Sequence, residues 1–462
     1  MTQEAATLDA AASGGRDAAK PLLAWWQLVV YGLPGVPLAV LLLPLYVTLP
    51  TYYATDLGVG FAAVGAVLLV VRFWDVVTDP LIGLLSDRTP GRFGRRKPWL
   101  VAGTPLLLLS AWMVFQPPEG VDWLHLLIWT ALMYLGGTMI LLPYSAWAAE
   151  ISPDYHERSR IAASREVAVI AGTVLALLIP ALLVVDRPTV MAGTAWALTV
   201  LLPLAVLAAV LLLPDKTQPI LGKVGAVRLN PRAALRLLFD NRPFRKLIAA
   251  YFINGIAYGL PATLFLLYVE HVLRAEHLAW PLLAVYFASA VAGVPVWLRL
   301  SRRFGKHRVW MAAMGMAAAS FWTALLLGEG DVGWFLLICI LTGFPLGAEL
   351  VLPPSMQADV IDLDSLKSGR RRAGVFFATW GVATKVPLAL GVGIAFPILA
   401  LAGFEQEAAA QEPQALLVLA AMYSLLPVVI KLIAIWILRD YPIDAAEQQR
   451  IRAEIARQTG ER

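Results

Sequence analysis

"RFGRRKPW", residues 92–99, returns as "RFGKHRVW" at 303–310, and each copy joins two long apolar runs at the same place in its half of the chain. Around these turns the 462 residues are 59% hydrophobic and only 15% charged, with a mean hydropathy of +0.70. A chain this apolar reads as a polytopic membrane protein rather than a water-soluble domain. At about twenty apolar residues per crossing, spans are predicted near 25–53, 60–86, 98–116, 124–150, 160–186 and 190–213. A second set is predicted near 243–269, 279–300, 308–327, 332–356, 374–402 and 413–438. The repeated turn lies between spans two and three and again between spans eight and nine. The expected fold is therefore an all-α membrane protein: twelve transmembrane helices in two pseudo-symmetric six-helix bundles made by duplication. Its parts are expected to be a disordered cytoplasmic tail (1–22), an N-terminal bundle (23–214), a cytoplasmic linker (215–242), a C-terminal bundle (243–438) and a cytoplasmic C-terminal tail (439–462).

Orientation follows from the basic residues, because short loops rich in Lys and Arg stay cytoplasmic. Arg88, Arg92, Arg95, Arg96 and Lys97 follow span two, and Lys367, Arg370, Arg371 and Arg372 follow span ten, whereas "TDLG", "PPEGVD", "GEGDVG" and "FEQEAAAQEP" on alternate loops hold no positive charge. Both termini are expected in the cytoplasm, with the chain in the plasma (inner) membrane. The formal charge of +5 reflects this asymmetry, and with no basic stripe away from the membrane edge no nucleic-acid partner is expected. The one cysteine, Cys339, excludes an intrachain disulfide framework and a cysteine-rich metal site.

Charge inside the spans is the functional signal. In "RFWDVVTDP" (72–80) Asp75 and Asp79 lie four residues apart and share one helix face, with Arg72 and Thr78 at three-residue spacings. Carboxylates at membrane depth face a bundle interior or a wet cavity. Arg72 neutralises one of the two acids, and a bound Na⁺, Li⁺ or H⁺ is the natural supply for the other, with Thr78 adding a hydroxyl to a hard-cation oxygen set. The competing reading is a purely structural ion-pair cluster. Lys385 in "ATKVPLALG" is the other deep charge, with Asp75 or Asp79 as its nearest candidate partners by depth; snorkelling to the interface is its alternative. Glu349, in "GFPLGAELVLPP", sits among helix breakers and is a candidate cavity residue or a satisfied packing residue. Arg165, at the start of span five, is a candidate pocket residue or a topology anchor.

The stretch from Arg72 to Trp99, "ADVIDLDSLKSGRRRAGVF" at 358–376 and "RDYPIDAAEQQRIRAEI" at 439–455, together with the two six-span repeats, resemble the glycoside-pentoside-hexuronide:cation symporter family of the major facilitator superfamily. That family contains the melibiose-permease-type sugar carriers, and sodium-dependent lysolipid carriers are relatives. The resemblance implies cation-coupled symport by alternating access, with a Na⁺ site at Asp75 and Asp79 completed by Thr78 and by Thr138 in "GGTMILLPY". It also places Lys385 near the cation and substrate, and Arg165 in the substrate pocket. No resident cofactor is implied, and a monomer among membrane lipids is expected.

The chain departs from the sugar carriers where they grip hydroxyls. Pro37 and Leu141 stand at the positions of their two sugar-binding acids and Ser145 at that of a backing tryptophan. A hydroxyl left unpaired in a dry pocket costs a few kcal/mol, so an apolar-lined site suits an amphipathic or glycoside-like solute. Its polar end is expected near Lys385 or Arg165. Alternatively Tyr144, Trp147, Asn254, Tyr258 and Trp380 hydrogen-bond an ordinary sugar. Asp87, Arg88, Arg95 and Arg303, on the two repeated turns, are candidate cytoplasmic gate or anchor residues. A membrane-embedded enzyme would need a nucleophile–base pair or metal ligands in the bundle, yet His125, His156, His271, His277 and His307 all fall in loops or at span ends.

Overall fold

A computed structural model describes residues 23–89, 94–151, 155–183, 186–213, 240–368, 373–404 and 411–443, with 447, 450 and 454. The tail 1–22, most of the linker 215–242 and most of the C-terminal tail 439–462 lie outside the described residues. Twelve long helical segments follow in order: α1 Trp25–Asp56, α2 Phe61–Arg88, α3 Lys97–Phe115, α4 Trp123–Ile151, α5 Tyr155–Leu183 and α6 Arg187–Leu212 in the N-bundle. The C-bundle holds α7 Arg242–Val272, α8 Glu276–Phe304, α9 Lys306–Leu326, α10 Val332–Ser368, α11 Ala373–Leu401 and α12 Pro413–Leu438. Among the described residues, eleven of these helices are long and apolar enough, by length and composition, to cross a membrane. The face carrying the start of α1 and the end of α12 is called the near face, and the opposite one the far face.

Several helices outrun the predicted spans. α10 reaches Ser368 rather than 356, and its polar end finds a partner there: Lys306, at the start of α9, meets Asp359 at 2.5 Å. α5 begins at Tyr155 rather than 160.

α1 is interrupted by a turn at Leu33–Pro34 and is not regular beyond it. Pro34, Pro37, Pro44 and Pro50 each lack an N–H and crowd the carbonyl four residues back. The ladder widens into π-turns at Pro44–Thr48 and Tyr52–Asp56, a geometry frequent at functional sites. The equivalent helix of the C-bundle, α7, also ends in a π-turn, Tyr268–Val272. The duplication is visible atom by atom. Tyr53 of α1 donates its hydroxyl to the Val114 carbonyl on α3 at 2.9 Å, and Tyr268 of α7 donates to Ala324 on α9 at 2.5 Å. The glycines of the repeated turns, Gly94 and Gly305, take φ of 88° and 86°, a left-handed conformation that glycine adopts without a Cβ penalty.

The two bundles meet along α2–α11, α5–α8 and α1–α7. One buried apolar cluster joins the N-bundle to the far half of the C-bundle through Tyr52, Phe61, Leu264, Phe265, Phe396 and Phe404. A second cluster, around Phe244, Trp310, Met356 and Phe376, belongs to the near half of the C-bundle alone. Among the described residues, then, the apolar seam between bundles closes at the far face. The Phe61 ring stands edge-on to both Phe396 and Phe404, at 4.9 and 5.3 Å between centroids.

Candidate functional site

The helical spacing read from "RFWDVVTDP" does bring Asp75 and Asp79 to one face of α2, turned toward α4 and α11. Thr138 on α4 donates to Asp79 at 2.9 Å and to Asp75 at 3.3 Å. Lys385 reaches across from α11 and pairs with Asp75 at 2.9 Å and with Asp79 still more closely. Arg72 completes the group: it contacts Asp75 at 3.3 Å, donates to the Tyr134 hydroxyl at 2.7 Å, and lies over the rings of Tyr134 and Tyr46. Asp75, Thr78 and Arg72 are buried, while Asp79 and Lys385 retain partial exposure.

Two sequence expectations change here. The acids are not one positive charge short, because the ammonium of Lys385 balances what Arg72 leaves. Its four-carbon stem spans the bundle interface instead of snorkelling outward. The Thr78 hydroxyl is turned to its own helix, donating to the Asp75 carbonyl at 3.2 Å, so Thr138 is the side-chain hydroxyl bonded to the acids. Among the described residues no group of three or more His, Cys, Asp or Glu could hold a metal ion. Two carboxylates and one hydroxyl nevertheless form an oxygen-only set of the kind that hard cations favour.

A cavity of about 470 Å³ lies on the C-bundle side. α1 contributes Leu42, Leu43 and Tyr46 to its wall, and the C-bundle contributes a mainly apolar surface including Phe265, Phe335 and Leu388. Asn254, Tyr258 and Glu349, singled out in the sequence, all line it. So does Lys431 of α12, which sequence reasoning missed although a lone base in the apolar run "PVVIKLIAIW" is itself a signal. Lys431 donates to Glu349 at 2.7 Å and to Asn254 at 2.9 Å, and Asn254 donates to the other Glu349 oxygen at 2.8 Å. All three are buried.

The remaining expected pocket residues separate. Trp380 stacks on Tyr251, a cavity residue, with centroids 4.1 Å apart. Arg165 donates to Ser145 at 3.0 Å and pairs with Glu166 at 2.6 Å, half-buried near the α4–α5 junction. Tyr144 and Trp147 are packed in the N-bundle core and do not appear on the wall of the 470 Å³ cavity. Tyr144 stacks on Tyr31 and donates to its carbonyl at 2.5 Å, and Trp147 lies between Tyr31 and the ammonium of Lys97. Pro37 is buried and Leu141 exposed, and neither side chain carries an acid.

Of the candidate gate residues, Arg88 and Arg303 are exposed at the near ends of α2 and α8, Arg303 over the Phe304 ring. Arg95 is half-buried, and the Asp87 side chain lies outside the described residues. Their neighbours act as anchors within the N-bundle: Arg96 donates to Ser86 at 2.9 Å and Lys97 to the Leu213 carbonyl at 2.8 Å.

Sequence reasoning also missed a lock at the far face. Arg187, opening α6, pairs with Asp56 of its own bundle at 3.2 Å and with Glu270 and Glu276 of the C-bundle at 2.7 and 3.7 Å. Its side chain is only 11% exposed. His271 places its ring edge-on to Phe404 beside this network.

Known proteins bear on this arrangement of a mid-bundle ion cluster, an apolar cavity and two repeats. Human sodium-dependent lysophosphatidylcholine symporter 1 is 27% identical over 85% of this chain and 78% of its own. The glucuronide carrier protein homolog of Escherichia coli is 24% identical over 94% and 96%. The solved structure of the nucleoside transporter NupG superposes with a TM-score of 0.60 at 15% identity, over 89% of this chain and 98% of that one. This likeness shows the fold alone. A match to the family described as MFS/sugar transport protein extends over residues 30–445, and the chain belongs to that family.

Proposed function

We propose that this protein is a sodium-coupled symporter that carries an amphipathic solute across the plasma membrane by alternating access, with both termini in the cytoplasm. The observation that carries the reading is the double contact of Lys385 with Asp75 and Asp79 across the bundle interface. An ammonium held by two carboxylates is a tethered cation, and a free Na⁺ competes for the same oxygens together with the Thr138 hydroxyl. When Na⁺ takes the carboxylates, Lys385 lets go of α2 and the mid-membrane tie between the bundles is released. The solute then binds between bundles that are free to rock, and by linkage it tightens the cation site by the same factor. The apolar cavity supports an amphipathic rather than a polyol cargo, as do the names of the relatives, sodium-dependent lysophosphatidylcholine symporters among them. Hydroxyls of Tyr251, Tyr258 and Tyr286 on that cavity favour, as a second reading, a glycoside with an apolar aglycone. Li⁺ or H⁺ can serve the same carboxylates, and no resident cofactor is required. The protein works as a monomer in this reading.

The test is uptake into proteoliposomes of a fluorescent lysophosphatidylcholine and of a nitrophenyl glucuronide, under Na⁺, Li⁺ and proton gradients. An inward Na⁺ gradient is expected to drive accumulation above equilibrium, and Asp75→Asn or Asp79→Asn to abolish it. Equilibration that ignores every cation gradient in the unmutated protein sinks the symport reading.

A further inference from the structure

Glu349, Lys431 and Asn254 form a second buried charge cluster, on α10, α12 and α7, all within the C-bundle. It therefore cannot work as the Lys385 tie does, because its breakage frees neither bundle from the other. Replacing a buried ion pair by apolar side chains of similar volume is often neutral or stabilising, so fold stability alone is a weak reason for this one. Its position supplies another. The three side chains stand on the wall of the 470 Å³ cavity, where Phe265, Phe321, Phe335 and Cys339 continue an apolar lining.

We propose that the triad is the head-group site for a zwitterionic amphiphile, with Lys431 taking the anionic group of the head and Glu349 the cationic one. This deepens the symport reading and rests on it. The argument is one of charge balance. Lys431 and Glu349 neutralise each other locally, within the C-bundle and apart from the cation cluster. A ligand with a net charge adds an uncompensated charge to a low-dielectric cavity, which is costly. A zwitterion exchanges partners instead. Its phosphate or carboxylate replaces Glu349 at the ammonium of Lys431, its ammonium replaces Lys431 at the carboxylate, and the cavity stays neutral. Asn254, which now bonds both residues, holds their orientation through the exchange. The apolar lining takes the chain of the amphiphile. Tyr46 of α1 lines the same cavity and lies under Arg72, so the cavity wall includes a residue in contact with the cation cluster.

The test compares lysophosphatidylcholine with lysophosphatidic acid of the same acyl chain on the purified full-length protein, by ligand-induced shift in Tm and by competition for uptake. The unmutated protein is expected to bind the zwitterion at least tenfold more tightly; equal affinity or preference for the anion overturns the proposal. The charge exchange Lys431→Glu with Glu349→Lys keeps an ion pair but reverses its order, and the neutral pair Lys431→Met with Glu349→Gln keeps the volumes. Each is expected to retain the Na⁺-induced shift in Tm, which reads the distant acids, and to lose at least tenfold in affinity for lysophosphatidylcholine. A variant that keeps the Na⁺ shift and binds lysophosphatidylcholine within threefold of the unmutated protein shows a structural tie only and overturns the proposal. If uptake by the unmutated protein ignores Na⁺, the coupling reading fails, while the affinity comparison still decides the head-group site.

Discussion

Replacing Arg187 by glutamine should unlock the far face. The guanidinium holds Glu270 at 2.7 Å and Glu276 at 3.7 Å across the bundle interface, and these two contacts, unlike that to Asp56, must break when the far face opens. A charged hydrogen bond contributes about 1.5–3 kcal/mol. The Glu276 carboxylate is 58% exposed, so its pair adds less than about 1 kcal/mol. Taking the interface share as roughly 2–3 kcal/mol, and about 1.4 kcal/mol per tenfold, the closed-to-open ratio should fall roughly 30- to 150-fold. Thr51 is a suitable reporter. It is fully buried, and its helical segment Leu49–Thr51 packs on α7 below the lock. With Cys339→Ala removing the native thiol, the rate at which N-ethylmaleimide labels Thr51→Cys reads opening of the far face. Arg187→Gln should raise that rate by the same 30- to 150-fold. Salt near 1 M, where the screening length is about 3 Å, should raise it in the unmutated background and change little in the variant. A labelling rate within threefold of the background, in a variant that keeps its Na⁺-induced shift in Tm, would refute the lock.

Two further substitutions probe the site and the scaffold. Thr138→Val removes the hydroxyl shared by Asp75 and Asp79 without changing volume. At about 1–1.5 kcal/mol for the lost bond, the Na⁺ concentration for half-maximal uptake should rise roughly tenfold, and an unchanged value would exclude Thr138 as a ligand. Gly136→Val places a Cβ 2.7 Å from the Leu107 backbone nitrogen, where α3 and α4 cross. Close crossings of this kind rely on small residues and overpacking costs about 1–3 kcal/mol. Tm should therefore fall by a few degrees with the Na⁺ affinity preserved, and an unshifted Tm would show that the crossing has slack.

What the sequence made legible was whatever depends on short range. Each span is a local apolar run, the "RFG" turns need a glycine at one position, and helical spacing alone puts Asp75 and Asp79 on one face. The partner of Lys385 was within reach because depth in the membrane is a coordinate that can be read along the chain. Lys431 was missed for the opposite reason: its partners are 82 and 177 residues away, and nothing local tells a paired lysine from one reaching for the interface. Tyr144 and Trp147 are polar-tipped aromatics whose assignment turned on what their tips meet, and only the packed core reveals Tyr31 there. Arg187 carried a signal that went unread. An arginine on a face otherwise poor in positive charge runs against the positive-inside tendency, and such an exception points to a specific acid partner.

Two links tie the bundles, and they answer to different solvents. Arg187 lies at the far edge of the bundle interface, where salt is expected to weaken it, whereas Lys385 lies deep in α11 between the bundles and, in the proposed reading, yields to another cation at the same oxygens. In the proposed cycle this separation gives each link its own task. With Lys385 on Asp75 and Asp79 the cation cluster of the empty carrier holds two acids and two bases, and it carries no net charge. A bound Na⁺ breaks that balance by one charge and frees Lys385, so it favours a state in which the core is wetter, but it leaves the far lock untouched. Closure at the far face therefore does not depend on whether the cation site is filled. Coupling must instead reside in the middle of the membrane, where Tyr46 touches both the Arg72 cluster and the cavity wall.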